Sequence, residues 1–286
     1  MTTGDVTTAA PARAPALSPS RAADFRRCAL LYRFRAIDRL PEAPSPAALR
    51  GTVVHAVLER LHDLEPGARS GDAARALARD VLDGLEPDDR ALLGREPGVD
   101  ALLARYLDLE DPRAVTSEAR ELLVEAELDD GTPLRGVVDR LDAGPDGLTV
   151  IDYKSGSAPP VRGELRALFG VRFYALLVAR TRGVVPTVRL LQLGDATTLT
   201  LRPTADELGR FAGVLRAVWA AIRRAAPTGD FRPNPGPGCA FCSFREQCPA
   251  QGGTLPPYPG PPPTLAHATT TAAPLPLPRP RSGEPT

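Results

Sequence analysis

The sequence predicts a mixed α/β domain built around one sheet. Three observations predict it. Apolar residues recur at helical spacing in the N-terminal half, alternate with period two in the middle, and return to helical spacing toward the C-terminus. The chain has 286 residues, 43% hydrophobic and 24% charged, enough to bury a real core. No run of about 18 apolar residues occurs, which argues against a membrane span. The first residues lack a basic start followed by an apolar stretch, so a cytoplasmic location is expected. Lys plus Arg and Asp plus Glu are equal at 35 each, so a polyanion must be met by a local patch, not by net charge.

The elements follow in order. Residues 1–17 are Ala, Thr and Pro with little to bury and are expected to be disordered. Ser18-Pro19-Ser20 is a helix start, a capping hydroxyl before Pro in the first turn, and the helix is expected to run to about Phe34. Gly51 to Leu61 is a second helix, with Val54, Val57, Leu58 and Leu61 on one face. A helical insert spans about 66–112, broken near Glu86-Pro87 and Pro97-Gly98. Glu121 to Leu128, Leu134 to Asp142 and Leu148 to Tyr153 read as a three-strand meander, turning at Asp130-Gly131 and at Gly144-Pro145-Asp146-Gly147. A helix over Gly163 to Arg180, strands Val188 to Leu193 and Thr198 to Leu201, and a helix Ala205 to Ala225 complete a folded unit of 18–249. Residues 250–286 read as a Pro-rich, solvated tail.

The central hairpin permits a register argument. If Gly144 to Gly147 form the loop, Ala143 faces Leu148 and Asp139 lies opposite Asp152. Lys154 projects on the same face as Asp152. It is also the single lysine among 35 basic residues, in a chain that otherwise uses Arg. An ammonium is a compact charge with a movable pKa, unlike the guanidinium fork. Two opposed carboxylates repel unless a cation lies between them, and Mg²⁺ or Mn²⁺ with oxygen ligands meets that need. A solvated Asp–Lys–Asp ladder explains the same residues equally well.

GVVDRLD at Gly136 to Asp142, followed by VIDYKSG at Val150 to Gly156, resembles the PD-(D/E)xK nuclease signature in its RecB-family exonuclease form. Gly51-Thr52-Val53-Val54-His55 resembles that family's GxxxH helix. The resemblance implies a restriction-endonuclease-like core with a central mixed sheet. It implies that His55, Asp139 and Asp152 hold Mg²⁺ or Mn²⁺, and that Lys154 positions the attacking water. Tyr174 matches the tyrosine of a QxxxY motif on the following helix, but Gly170 stands at the Gln position, with Arg172 nearby. His62 and His267 match nothing in the family pattern.

Four cysteines complete the set: Cys28, then Cys239, Cys242 and Cys248 after a gap of some 200 residues. Without a secretory signal disulfides are disfavoured. Spacing leaves zinc and a [4Fe–4S] cluster both open. Similarity to AddB-type and CRISPR-associated RecB-like nucleases favours the cluster, as a staple joining the N- and C-terminal parts. Arg26, Arg27 and Arg33, interleaved with aromatics around Cys28, and Arg172 are candidate DNA contacts, though an ordinary basic helix face accounts for them too. The implied activity is a metal-dependent DNA exonuclease of repair or recombination, acting on ends or single strands. No GxxxxGK[ST] occurs, so no ATP site is expected, and any helicase would be a separate subunit. Gly170 keeps a second reading open: a non-catalytic iron–sulfur or zinc DNA-binding module accompanying a helicase. A zinc-stapled scaffold acting through the Pro-rich tail is a third.

Overall fold

In a computed structural model, which describes residues 15–93, 98–157, 161–262 and 265, five strands form one mixed sheet in sequential order. β1 (Ser117–Glu127), β2 (Pro133–Gly144) and β3 (Gly147–Lys154) make the antiparallel meander. A long helix over Val161–Arg182 crosses over to β4 (Thr187–Gln192), which runs parallel to β3, and β5 (Thr197–Leu201) returns antiparallel. A parallel neighbour requires such a crossover, because a tight turn cannot bring the chain back to the same end.

The remaining helices are α1 (Pro19–Arg27), α2 (Ala29–Tyr32), α3 (Pro46–Asp63), α4 (Gly71–Asp83), α5 (Pro87–Leu93) and α6 (Val99–Leu109), then α7, the crossover helix, and α8 (Ala205–Ala225). One sheet face packs on α7 and α8 through Phe173, Leu177, Leu215 and Trp219. The other packs on α3, α4 and α6 through Val57, Leu61, Ala78, Leu103 and Tyr106. Val150 belongs to the first core and Ile151 and Tyr153 to the second, so β3 is buried on both faces and reads as an unbroken apolar run. The helix starts follow their sequence signals. The Ser18 hydroxyl accepts from the Arg21 N–H, and Thr204 and Glu207 form a capping box on α8. Among the described residues no helix is long and apolar enough to cross a membrane.

The structure corrects three expectations. The first helix does not run unbroken to Phe34. It stops at Cys28, which is extended (φ −165°, ψ 116°), restarts as α2, and continues as a π turn over Arg33–Ile37. The break is held from outside: Asn234 donates its side-chain amide to the Arg27 carbonyl, and its backbone N–H lies 3.4 Å from Cys28 Sγ. The folded region also starts earlier than 18, because Leu17 is fully buried and pairs with Leu134 at the margin of β2. Likewise it extends past 249. Tyr258 packs on Phe231 and its hydroxyl donates to the Ala226 carbonyl at 2.6 Å. The expectations for residues 1–14 and 266–286 lie outside the described residues.

Gly136 sets the distance between β2 and α7. A Cβ there would lie 2.8 Å from Leu177 Cδ1 and 3.2 Å from Tyr174 Cε1. Gly136→Ala is therefore expected to destabilise the protein by about 1–3 kcal/mol through overpacking, read as a lowered denaturant midpoint.

Candidate active site

The register of the central hairpin is the one the turn predicts. Ala143 faces Leu148, and the strands extend further, to a Gly144–Gly147 pair around Pro145-Asp146. The β2–β3 ladder reaches Arg140 and Ile151, one step short of Asp139 and Asp152. There Asp139 enters the gap: its Oδ2 accepts the backbone N–H of Tyr153 at 2.7 Å. β1 is irregular at the same level. Glu121 sits between the pairs Arg120–Arg140 and Leu122–Val138, level with Asp139, and adopts a left-handed conformation (φ 42°). Non-glycine residues in that region cost about 1–3 kcal/mol and cluster where function needs them.

Helix α3 delivers the third group. Its Gly51 lies against Ser155, where a Cβ would be 3.3 Å from Ser155 Oγ, so the helix approaches the end of β3 closely. One turn further, His55 Nδ1 lies 3.6 Å from Asp139 Oδ1 and 3.7 Å from Glu121 Oε1. Its Nε2 is 3.1 Å from the Tyr153 carbonyl. A carbonyl only accepts, so Nε2 carries the proton and Nδ1 turns toward the two acids. Donor atoms of His55, Glu121 and Asp139 all lie within 4.8 Å of one another. An imidazole whose remote N–H is taken by a backbone carbonyl, beside two carboxylates, suits a divalent cation. An open groove of about 640 Å³ runs past the cluster, lined by Gly51, Thr52, His55, Glu59, Glu121 and Ser155.

Asp152 and Lys154 form the second part. Lys154 Nζ contacts both carboxylate oxygens of Asp152, at 2.8 and 2.7 Å. Burial lowers the lysine pKa, but the charge and hydrogen bonds of Asp152 and the charge of Asp139 outweigh it, and the net direction is up. Lys154 thus stays an ammonium near neutral pH and is unsuited to take a proton from water. Its chemistry is to orient oxygen and offset negative charge. Burial, and then the charges of Asp152, Asp139 and Glu121, raise the pKa of Tyr174, which keeps its phenol a hydrogen-bond donor beside the acids.

Sequence reasoning expects ligands at His55, Asp139 and Asp152, with Lys154 and Tyr174 beside them; the donor atoms that converge include those of His55 and Asp139, whereas the Asp152 carboxylate is paired with Lys154. Sequence reasoning missed Glu121, which read as one acid of an alternating strand. Around Gly170 a Cβ would meet nothing within 4 Å, so the position faces open space. The arginines are spread differently from expectation. Arg33 is corrected: it is buried, ion-paired to Asp38 at 3.0 Å, and donates to the Pro256 carbonyl, so it presents no donor to a nucleic acid. Arg26 is exposed, with its guanidinium over the Phe169 ring at 4.5 Å. Arg27 donates to the Gly238 carbonyl at 2.7 Å and thereby ties α1 to the cysteine loop. Arg172 is half-buried on α7.

The four cysteines line one cavity of about 550 Å³, all partly exposed and none in a disulfide. The Gly236 N–H lies 3.4 Å from Cys239 Sγ, as that of Asn234 does from Cys28 Sγ. Backbone N–H groups aimed at sulfur suit thiolates.

The acid cluster also makes stability depend on pH. Burial and the Asp152 charge push Asp139 up to about 7, against the pull of His55, the Tyr153 N–H and Lys154. Unfolded Asp titrates near about 4, so over this window the folded chain holds a proton that the unfolded chain has lost, and stability falls as pH rises. His55 acts in the same sense. Burial lowers its pKa, Glu121 and Asp139 raise it further, and the stability it contributes is lost as pH rises through the raised value. The metal-free protein is expected to melt lower at about pH 8 than at about pH 6, and Mn²⁺ should raise Tm more at the higher pH. Calorimetry in EDTA checks this, and a melting temperature that climbs with pH would contradict it.

A family model of the PD-(D/E)XK nuclease superfamily matches residues 16–249. A solved structure of a candidate exonuclease from Eubacterium rectale is 15% identical, with a TM-score of 0.50 over 79% of this chain and 85% of that one, a likeness of fold. No curated protein matches the chain.

Proposed function

This chain belongs to the PD-(D/E)XK nuclease superfamily, and from that premise we propose that it is a Mg²⁺- or Mn²⁺-dependent DNA exonuclease of RecB-like type. It would act on ends or single strands in repair or recombination. The observation that supports this most is the convergence of His55, Glu121 and Asp139 donor atoms next to the Asp152–Lys154 pair.

His55, Glu121 and Asp139 would hold the divalent ion, with Asp152 adjoining. Such an ion, when bound, polarises the phosphate and lowers the pKa of a coordinated water. The Tyr153 carbonyl keeps the His55 proton on Nε2, which leaves Nδ1 a lone pair for the cluster. Asp152 holds Lys154 in place and cationic, so the ammonium orients the attacking water and offsets charge developing at phosphorus. Water adds to phosphorus, the phosphodiester P–O bond breaks, and in net terms the proton the water loses ends on the departing oxygen. Tyr174 adds a donor beside the same acids. Arg26, Arg27 and Arg172 are the arginines proposed to meet the DNA backbone.

The four-cysteine cavity is read as a [4Fe–4S] staple, with zinc as the alternative, closing a loop between Cys28 and the triplet. Fresh anaerobic protein should show a broad band near about 400 nm that dithionite bleaches, whereas a colourless protein with one zinc would overturn the cluster. The activity is tested on the same preparation with linear and circular DNA, single- and double-stranded, with Mg²⁺, Mn²⁺ or EDTA. Metal-dependent release of nucleotides from linear DNA only is the expected result. Cutting of circles would replace the exonuclease reading with an endonuclease one. DNA binding without cutting under any metal would instead favour the non-catalytic module that Gly170 suggests.

A further inference from the structure

Tyr153 stands between Asp152 and Lys154, and its main chain contacts two of the three residues in the donor cluster. Its N–H donates to Asp139 Oδ2 at 2.7 Å and its carbonyl accepts from His55 Nε2 at 3.1 Å. Its ring is buried, edge-on to His55 and to Tyr106, each at 5.9 Å. Its hydroxyl lies 2.6 Å from Nη1 of Arg140. Arg140 is itself fully buried. Its fork meets Glu110 at 2.5 and 3.1 Å and Asp142 at 2.8 and 2.9 Å, and Nη1 is 2.9 Å from His62 Nε2 on α3. Glu110 directly follows α6, so one guanidinium joins the helical insert, α3, β2 and the phenol of β3.

We propose that Tyr153 is a positioning residue for the metal centre, with the Arg140 network, anchored in the insert through Glu110, holding the backbone that orients Asp139 and His55. The proposal rests on the reading of that cluster as metal-binding. The peptide groups on either side of Tyr153 face the two candidate ligands; the β4 ladder holds them from one side, and the clamped phenol adds a restraint from the core. The phenol is clamped by a charge-assisted contact inside a packed core. Partners of this kind fix a histidine's tautomer and a carboxylate's orientation before the ion arrives, and losing them typically weakens metal affinity about 10–100-fold. A buried network of three charged groups is an expensive way to gain stability alone, since well-packed apolar residues often do as well. Its connection to the metal-facing peptides supplies a reason for it.

The test is Mn²⁺ binding to the DNA-free protein by calorimetry, in wild type, Tyr153→Phe and Tyr106→Phe, with circular dichroism melts alongside. Tyr106 is an equally buried neighbour whose hydroxyl lies 2.7 Å from His62 Nε2 and 3.5 Å from Arg140 Nη1, so its loss disturbs the same network, but among the described residues no hydrogen bond joins it to Asp139 or His55. Tyr153→Phe is expected to fold, to melt close to wild type, and to bind Mn²⁺ about 10-fold or more weakly, while Tyr106→Phe keeps its affinity. Equal affinity in wild type and Tyr153→Phe overturns the inference and leaves the metal site standing. Equal weakening by both variants overturns it too, since the network would then act through general stability. A wild type that takes up no Mn²⁺ overturns the metal reading and the inference together.

Discussion

Lys154→Ala is expected to lower the rate of DNA cleavage on the order of 10²–10³-fold, or below detection, while the fold persists. The ammonium is the cation nearest the acids that no other basic residue duplicates in kind, since every other basic side chain outside the three histidines is an arginine. Its side chain is 49% exposed while its partner Asp152 is 5% exposed, so the lysine is the member of the pair that reaches toward a substrate. Removing it leaves Asp152 with an unpaired buried carboxylate, at a cost of about 1–3 kcal/mol. That is a tolerable loss for a domain of this size, and it separates lost chemistry from lost folding. Lys154→Arg is not expected to restore the rate, because a planar fork cannot occupy the point position of an ammonium against Asp152. Initial rates on end-labelled linear DNA provide the measurement. Equal rates for Lys154→Ala and wild type would assign the cleavage to another site or to a contaminant.

The largest stability effect is expected at Arg140. Arg140→Ala strands Glu110 and Asp142 without their cation in a region where Glu110 is only 8% exposed. Breaking a buried pair by removing one partner costs about 3–5 kcal/mol, against less than about 0.5 kcal/mol for an ordinary surface change. For a protein of this length that corresponds to a fall in Tm of about 10 °C. The paired change Arg140→Met with Glu110→Leu should recover part of the loss, because it removes one of the two orphaned charges, the more buried one. His62 reports on the same network. Burial and then the positive field of Arg140 push it down to about 3, so it remains neutral across the physiological range. A variant at Arg140 that melts with wild type would show that the charges are solvated after all.

Much of the frame is legible in the sequence because it is local. The Gly-Pro-Asp-Gly turn sets the β2–β3 register, and with it the approach of Asp139 to Asp152. The apolar runs of β3 and β4 follow from burial on both faces. The start of α8 follows from its capping box. What was not legible depends on contacts distant in sequence. Glu121 reaches the site through an irregular backbone at φ 42°, and nothing in ELLVEAEL distinguishes it from its alternating neighbours. Cys28 interrupts a stretch that has helical residues on both sides, because residues near 234 hold it from outside. Arg33 looks like surface on a helix, and only Asp38 and the returning C-terminal segment make it interior. Tyr258 is one aromatic in Pro-rich text, yet it fills the space beside Gly229, where φ is 73°.

The most direct measurement is the position of Mn²⁺ in crystals soaked with the ion, located by its anomalous scattering. The expected peak is bonded to His55 Nδ1 and Asp139, next to Glu121 and within reach of the Asp152–Lys154 pair. A protein that binds Mn²⁺ elsewhere, with His55 and Asp139 left unliganded, would contradict it.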